Sequence, residues 1–266
     1  MQHKTGTDKL LVEVSGHVAT VTFNNPAKRN ALSAEIRTAL PGLLTALNAD
    51  PDVRVIVLTG AGGKAFASGA DISEFGAQRT SPSARAAYDR VQGAMLAACA
   101  SLDKPFIAMI RGFCMGGGLL TALQADIRIA SDDSQFGIPA ARLGLGYGFS
   151  GVTALMKLIG PSWTAEMLFS ARRFSAAEAL QMGLVNRVVP ADDLREAVLG
   201  LADSIASNAP LTVAAAKAAI REAARPADTR DLAQVQAMAE ACYGSADYLE
   251  GQRAFAEKRP PVFTGR

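Results

Sequence analysis

Residues 106–130 read FIAMIRGFCMGGGLLTALQADIRIA. The first five residues are apolar without a break, the pattern of a strand buried on both faces. Three glycines, Gly116 to Gly118, then open an apolar stretch that reads as a helix to about Leu123. DIRIA, 126–130, is a second buried strand. Strand, helix and strand in this order predict neighbouring parallel strands joined by a helical crossover. The triplet itself needs a reason, because glycine weakens both helices and strands. Close approach of a ligand to bare backbone is one. Gly112 to Ala122 carry no acidic or basic side chain, so any chemistry offered here comes from the main chain.

Upstream, KLLVEV and HVATVTF flank Ser15-Gly16 and read as a β-hairpin. NNPAKRNALS (24–33) is a loop, and Ser33 is placed to cap a helix from about Ala34 to Asn48. RVIVLTG (54–60) is a buried strand, followed by the glycine-rich loop GAGGKAFASGADISEF (60–75). Residues 83–101 read as a helix. Beyond Gly148 the pattern is mostly helical. LVNRVVP (184–190) is one short strand within it, LTVAAAKAAIREAA (211–224) an alanine-rich helix, and SADYLEGQRAFAEKR (245–259) a last helix stopped by Pro260-Pro261. The expected fold class is α/β: a core over residues 1–190 and a helical region over 191–266.

Composition narrows the functions. The chain has 266 residues, 49% hydrophobic and 20% charged, with formal net charge +2. That suits a large buried core and gives no basic footprint for nucleic acid. No apolar run is long enough for a membrane span, and the N-terminus lacks the apolar stretch of a signal peptide. Cys99, Cys114 and Cys242 are scattered, as expected of reduced thiols in a cytoplasmic protein. His3 and His17 are the only histidines, which argues against a zinc site or a histidine-based triad.

Three motifs fail on inspection. GAGGKA has Leu58 where a P-loop needs glycine and Ala65 where it needs Ser or Thr. No acidic residue closes a following strand as a dinucleotide ribose would require. GFSGV lacks the final glycine of a nucleophile elbow, and no histidine follows it. What survives is a pair of glycine-rich segments, FASGADI and MGGG, each after a buried strand. Loops at one edge of a parallel sheet meet there. One amide from each would hold a carbonyl oxygen that becomes negative during reaction, an oxyanion hole. Bare approach by the ligand would account for Gly69 and for Gly116 to Gly118; tight strand-to-helix turns are the alternative reading of the same glycines.

Over nearly its whole length the chain resembles the crotonase, or enoyl-CoA hydratase/isomerase, family. The matching stretches are NNPAKRNALS, GAGGKAFASGADISEF, DKPFIAMIRGFCMGGGLLTALQADIRIASDDSQFGIPAARLGL, SAAEALQMGLVNRVVP and EGQRAFAEKRPPVFTG. The resemblance implies a crotonase-like spiral of ββα units with a C-terminal helical region, assembled as trimers or trimer pairs. It implies an acyl-CoA thioester substrate, as in fatty acid metabolism, with no cofactor beyond the coenzyme A of the substrate. It places the oxyanion amides at Ala70 and Gly117. Ser68, Asp71 and Ile72 would lie against the CoA adenine and pantetheine. Arg29 would reach a CoA phosphate, and Phe255 and Lys258 would contact CoA, including that of a neighbouring subunit. Residues 81–95 would cover the acyl pocket.

The chain also departs from that family. Hydratases carry two glutamates that handle water, and the corresponding positions here are Leu120 and Ala140. Neither can move a proton. Three readings follow. Tyr147, seven residues past Ala140 where a naphthoyl-CoA-forming relative places an acid, either donates a proton or hydrogen bond, as an isomerase would use it, or packs as core. Arg142 and Glu74 are lesser candidates for the catalytic group, weighed against a structural or surface contact for Arg142 and a solvated or capping role for Glu74. Alternatively the enzyme is a decarboxylase, which needs no base because loss of carbon dioxide makes the enolate directly. In the third, the chain binds acyl-CoA without catalysis.

Overall fold

The apolar runs become neighbours in one sheet. In the computed structural model, which describes residues 3–74 and 81–266, the strands β1 (Leu10–Ser15), β2 (Val18–Phe23), β3 (Val55–Gly60), β5 (Phe106–Ile110), β7 (Ile127–Ser131) and β10 (Arg187–Val189) lie side by side in that order. β1 and β2 form the expected hairpin, with Ser15 opposite Val18. Every further pairing in the sheet is parallel. β3 and β5 are buried almost throughout, which is why they read as continuous apolar runs rather than alternating ones.

Helices close both faces. α1 (Ala34–Ala49) starts where Ser33 accepts a hydrogen bond from the Ile36 amide, as an N-cap should. Its buried Ile36, Leu40, Leu43, Leu44 and Leu47 form one stripe, and α1 packs beside α2 (Pro82–Ala100). The opposite face of the sheet presents Val18, Val55, Val57, Ile107, Met109 and Ile129. α6 (Leu194–Ala206) covers it with Leu194, Val198, Ala202 and Ala206, one residue per turn.

A second sheet was not legible from pattern. β4 (Ala65–Ala67), β6 (Phe113–Met115), β8 (Gln135–Gly137) and β9 (Phe174–Ser175) form four strands in that order. The segments expected as glycine-rich loops are therefore partly strand; two or three residues are too few to show a period of two. Three times a long strand is followed by a short one: β3 by β4, β5 by β6, β7 by β8. This repetition is the spiral that the resemblance implied.

The remaining helices are α3 (Gly117–Ala122), α4 (Phe149–Ser170), α5 (Ala176–Gln181), α7 (Pro210–Ala223), α8 (Leu232–Tyr243) and α9 (Ala246–Glu257). α4 is broken at Gly160, whose φ of 70° precedes Pro161. From α7 the buried Lys217 reaches the core, donating to Asp126 at 2.6 Å and to the Lys104 carbonyl at 2.7 Å. Among the described residues no single helix is long and apolar enough to cross a membrane.

Candidate active site

The small sheet positions the site. β4, β6 and β8 are parallel, so the loops that follow them leave from one edge. Ala67 pairs with Cys114. Ala70 and Gly117 lie equally far beyond that pair, since 70 − 67 and 117 − 114 are both 3. Met115 pairs with Gly137, which brings the 3-10 turn Pro139–Leu143, with Ala140, to the same edge.

The two glycine-rich loops touch. A Cβ placed on Gly117 would stand 3.7 Å from the Ala70 nitrogen, and one on Gly69 would stand 3.7 Å from the Gly117 nitrogen. Ser68, Gly116 and Leu120 donate their amides to the carbonyls of Arg29, Gly137 and Gly116. Among the described residues the amides of Ala70 and Gly117 make no such bond. α3 spans only six residues, so its dipole adds little.

The glycines divide by cause, which corrects the expectation that ligand approach explains all of them. Gly69 and Gly116 have φ of 104° and 50°, a region side chains disfavour. At Gly118 a Cβ would fall 2.5 Å from the Ala67 carbonyl oxygen, so tight packing of α3 on β4 excludes it. Only Gly117 has neither constraint: its nearest neighbours to a Cβ are in ordinary contact. Open backbone is the reason that remains there.

At positions 120 and 140 the side chains are apolar. Ala140 is 9% exposed and belongs to the main core, against which Leu120 and Tyr147 pack. The Tyr147 hydroxyl is buried without a hydrogen-bond partner among the described residues. Burial, with Tyr88 nearby adding to it, pushes the phenol well above its usual range, so it stays protonated. Glu74 is a capping residue: its carboxylate accepts from the Ala34 amide at the start of α1, at 3.0 and 3.2 Å, and from Arg37 at 3.1 Å. Burial pushes the Cys99 thiol up to about 12 and raises that of Cys114 still further, which leaves both as inert core residues.

The early loop is stitched onto the Ala70 loop. Ser68 donates its amide to the Arg29 carbonyl at 3.0 Å, and Leu32 donates to Gly69 at 2.8 Å. Lys28 donates to Asp71 at 2.8 Å, and Asp71 also accepts from the Ser73 hydroxyl and amide. Burial pushes the Asp71 carboxyl up, but Lys28 and Ser73 outweigh it and the net direction is down. Arg29, Ser68 and Arg142 line a cavity of about 230 Å³ with Arg173, and the guanidinium groups of Arg29 and Arg173 stand over the Phe113 ring. The side chain of Ile72 and residues 75–80, including the end of the expected loop at Phe75, lie outside the described residues.

Phe255 and Lys258 stand apart from this edge. Phe255 is 88% exposed on α9 and lines a groove of about 790 Å³ between α7, α8 and α9; Lys258 is the left-handed cap of the same helix. Sequence reasoning missed Gln92 and Tyr88. They lie four residues apart on α2, on one helical face, within the segment expected over the acyl pocket. Neither belongs to a motif, and a lone polar residue in a helix gives no signal.

The comparisons agree with this architecture. The family model described as enoyl-CoA hydratase/isomerase matches residues 13–266. A short-chain-enoyl-CoA hydratase of Clostridium acetobutylicum is 35% identical over 95% of this chain and 96% of its own. A carnitinyl-CoA dehydratase of Salmonella typhi is 35% identical over 98% of this chain and all of its own. The crystal structure of an enoyl-CoA hydratase/carnitine racemase from Magnetospirillum magneticum superposes with a TM-score of 0.91 at 35% identity, covering 98% of this chain and 97% of that one. The chain belongs to the enoyl-CoA hydratase/isomerase family of enzymes, and its fold is the crotonase fold.

Proposed function

We propose that this protein acts on an acyl-CoA thioester through an enolate whose oxygen is held by the amides of Ala70 and Gly117. The observation that carries this is the equal register of those two residues beyond the Ala67–Cys114 pair, with the space beside Gly117 opening onto the Ala70 nitrogen and neither amide bonded to backbone among the described residues. Removing one donor of this kind costs about 3–4 kcal/mol of transition-state stabilisation. Arg29, Ser68, Asp71 and Ile72 would hold the CoA moiety, with Phe255 and Lys258 reaching CoA from a neighbouring subunit of a trimer or trimer pair. The exposed aromatic groove beside α9 supports such an assembly. No cofactor besides the CoA of the substrate is required, and a cytoplasmic setting in fatty acid metabolism suits the reading.

The same site argues against two-glutamate hydration. Leu120 and Ala140 supply no base, and Glu74 is committed to capping α1. Decarboxylation of a malonyl-type thioester fits better. The bond from the α-carbon to the carboxylate breaks, its electron pair moves into the enolate, and a proton from Tyr147 or water completes the α-carbon. An isomerase using Tyr147 is the second enzymatic reading, favoured by a hydroxyl that has no partner among the described residues. Incubation of the purified chain with a panel of enoyl-, 3-hydroxyacyl- and malonyl-type CoA thioesters, read by mass spectrometry, tests this. Loss of carbon dioxide from a malonyl-type thioester is the expected result. Calorimetric binding of CoA esters without any product would instead make the chain a binding protein.

A further inference from the structure

The point that a Gly117 Cβ would occupy is bordered by three groups. The Ala70 nitrogen is 3.7 Å away, Leu32 Cδ1 is 3.7 Å away, and the Gln92 carboxamide nitrogen Nε2 is 4.0 Å away. Gln92 stands on α2, outside every motif, yet its Nε2 is buried and has no hydrogen-bond partner among the described residues. Buried donors in folded proteins nearly always have partners, and an orphan at a candidate site calls for a functional reason. None of these three nearest atoms is an acceptor: Leu32 Cδ1 is apolar, and the Ala70 nitrogen, like that of Gly117 itself, is a donor with no backbone partner among the described residues. Three donors around one point describe a place for an oxygen.

We infer that Gln92 is a third donor to the thioester oxygen, a side chain completing what the amides of Ala70 and Gly117 begin. The inference rests on the enolate reading above and names a further catalytic residue within it. A carboxamide suits the task. It is neutral, so it adds no fixed positive charge that would bind CoA anions indiscriminately, and its two N–H groups have no acceptor role to compete. α2, which contacts α3, carries it. Met95, one turn further along α2, is fully buried and anchors that face.

The test uses the full chain and butyryl-CoA carrying ¹³C at the thioester carbonyl. The carbonyl stretch is recorded by infrared difference spectroscopy on the wild type, Gln92→Leu and Gly117→Ala. Hydrogen-bond donors lower that frequency. The wild type should lower it relative to the ester in water. Gly117→Ala should abolish most of the shift, and Gln92→Leu should remove a distinct part of it. Turnover of whichever thioester the wild type consumes should fall about tenfold to a hundredfold in Gln92→Leu, mainly in kcat. The thermal midpoint without ligand should hold or rise, because the substitution removes an orphan donor. A packing role would lower the midpoint and leave the carbonyl shift intact. A full wild-type shift in folded Gln92→Leu, or in Gln92→Met should Leu fail to fold, overturns the inference alone. Absence of any shift in the wild type overturns the enolate reading, and this inference with it.

Discussion

Gly117 and Ala70 come from different turns of the spiral, and the space beside Gly117 opens directly onto the Ala70 nitrogen, 3.7 Å from the position of a Cβ. Gly117→Ala should therefore fill the site without breaking the fold. No contact below ordinary van der Waals distance arises, and Gly117 needs no positive φ. Turnover should drop about a hundredfold to a thousandfold, as for loss of an oxyanion donor, with a near-native thermal midpoint. Gly118→Ala should do the reverse. Its Cβ would meet the Ala67 carbonyl at 2.5 Å, so destabilisation by about 1–3 kcal/mol is expected from overpacking. Denaturant melts and assays of the two variants separate the effects. Equal stability losses would mean that the triplet is purely structural.

Hydration of crotonyl-CoA should be very slow or absent. Leu120 and Ala140 give water no base, and the buried Tyr147 phenol stays protonated. Loss of enoyl-thioester absorbance measures this directly. Turnover at about 10 per second, the ordinary enzyme range, would show that another group activates water and would remove the argument from the missing glutamates.

The sequence carried the long strands because full burial leaves a continuous apolar run, as in 106–110, and it carried α1 because Ser33 caps it. Pairing of Ala70 with Gly117 followed from family motifs, and geometry then supplied the register through Ala67 and Cys114. The small sheet was hidden because strands of two or three residues have no period. Gln92 was hidden for another reason. Its significance lies in what surrounds its Nε2, and burial without a partner is a property of the fold rather than of a residue type.

Tyr147→Phe removes one hydroxyl that has no partner among the described residues. The variant should be at least as stable as the wild type, because a buried orphan donor is lost. Turnover should nevertheless fall by about a hundredfold, the low end for loss of a general acid. The wild-type rate should show no titration near neutral pH that Tyr147→Phe abolishes, since burial raises the phenol out of that range. Unchanged turnover in a more stable Tyr147→Phe would assign the residue to core packing.

The pairing of Lys28 with Asp71 makes a separate, pH-dependent prediction. Asp71 is 7% exposed, and the bonds from Lys28 and Ser73 hold its carboxyl below the ordinary value despite burial. A depressed carboxylate contributes its stability in full above the unfolded value, about 3.9, and loses it as pH falls through the lower folded value. Protonation should therefore release Lys28 and loosen the loop that carries Ala70. Thermal midpoints measured from pH 7 down to pH 3 should fall more steeply for the wild type than for Asp71→Asn below about pH 4. Asp71→Asn should start lower at pH 7, because Lys28 then faces a neutral amide. Parallel acid limbs in the two proteins would show that the clamp between the early loop and the Ala70 loop rests on the backbone bonds of Leu32 and Ser68 instead.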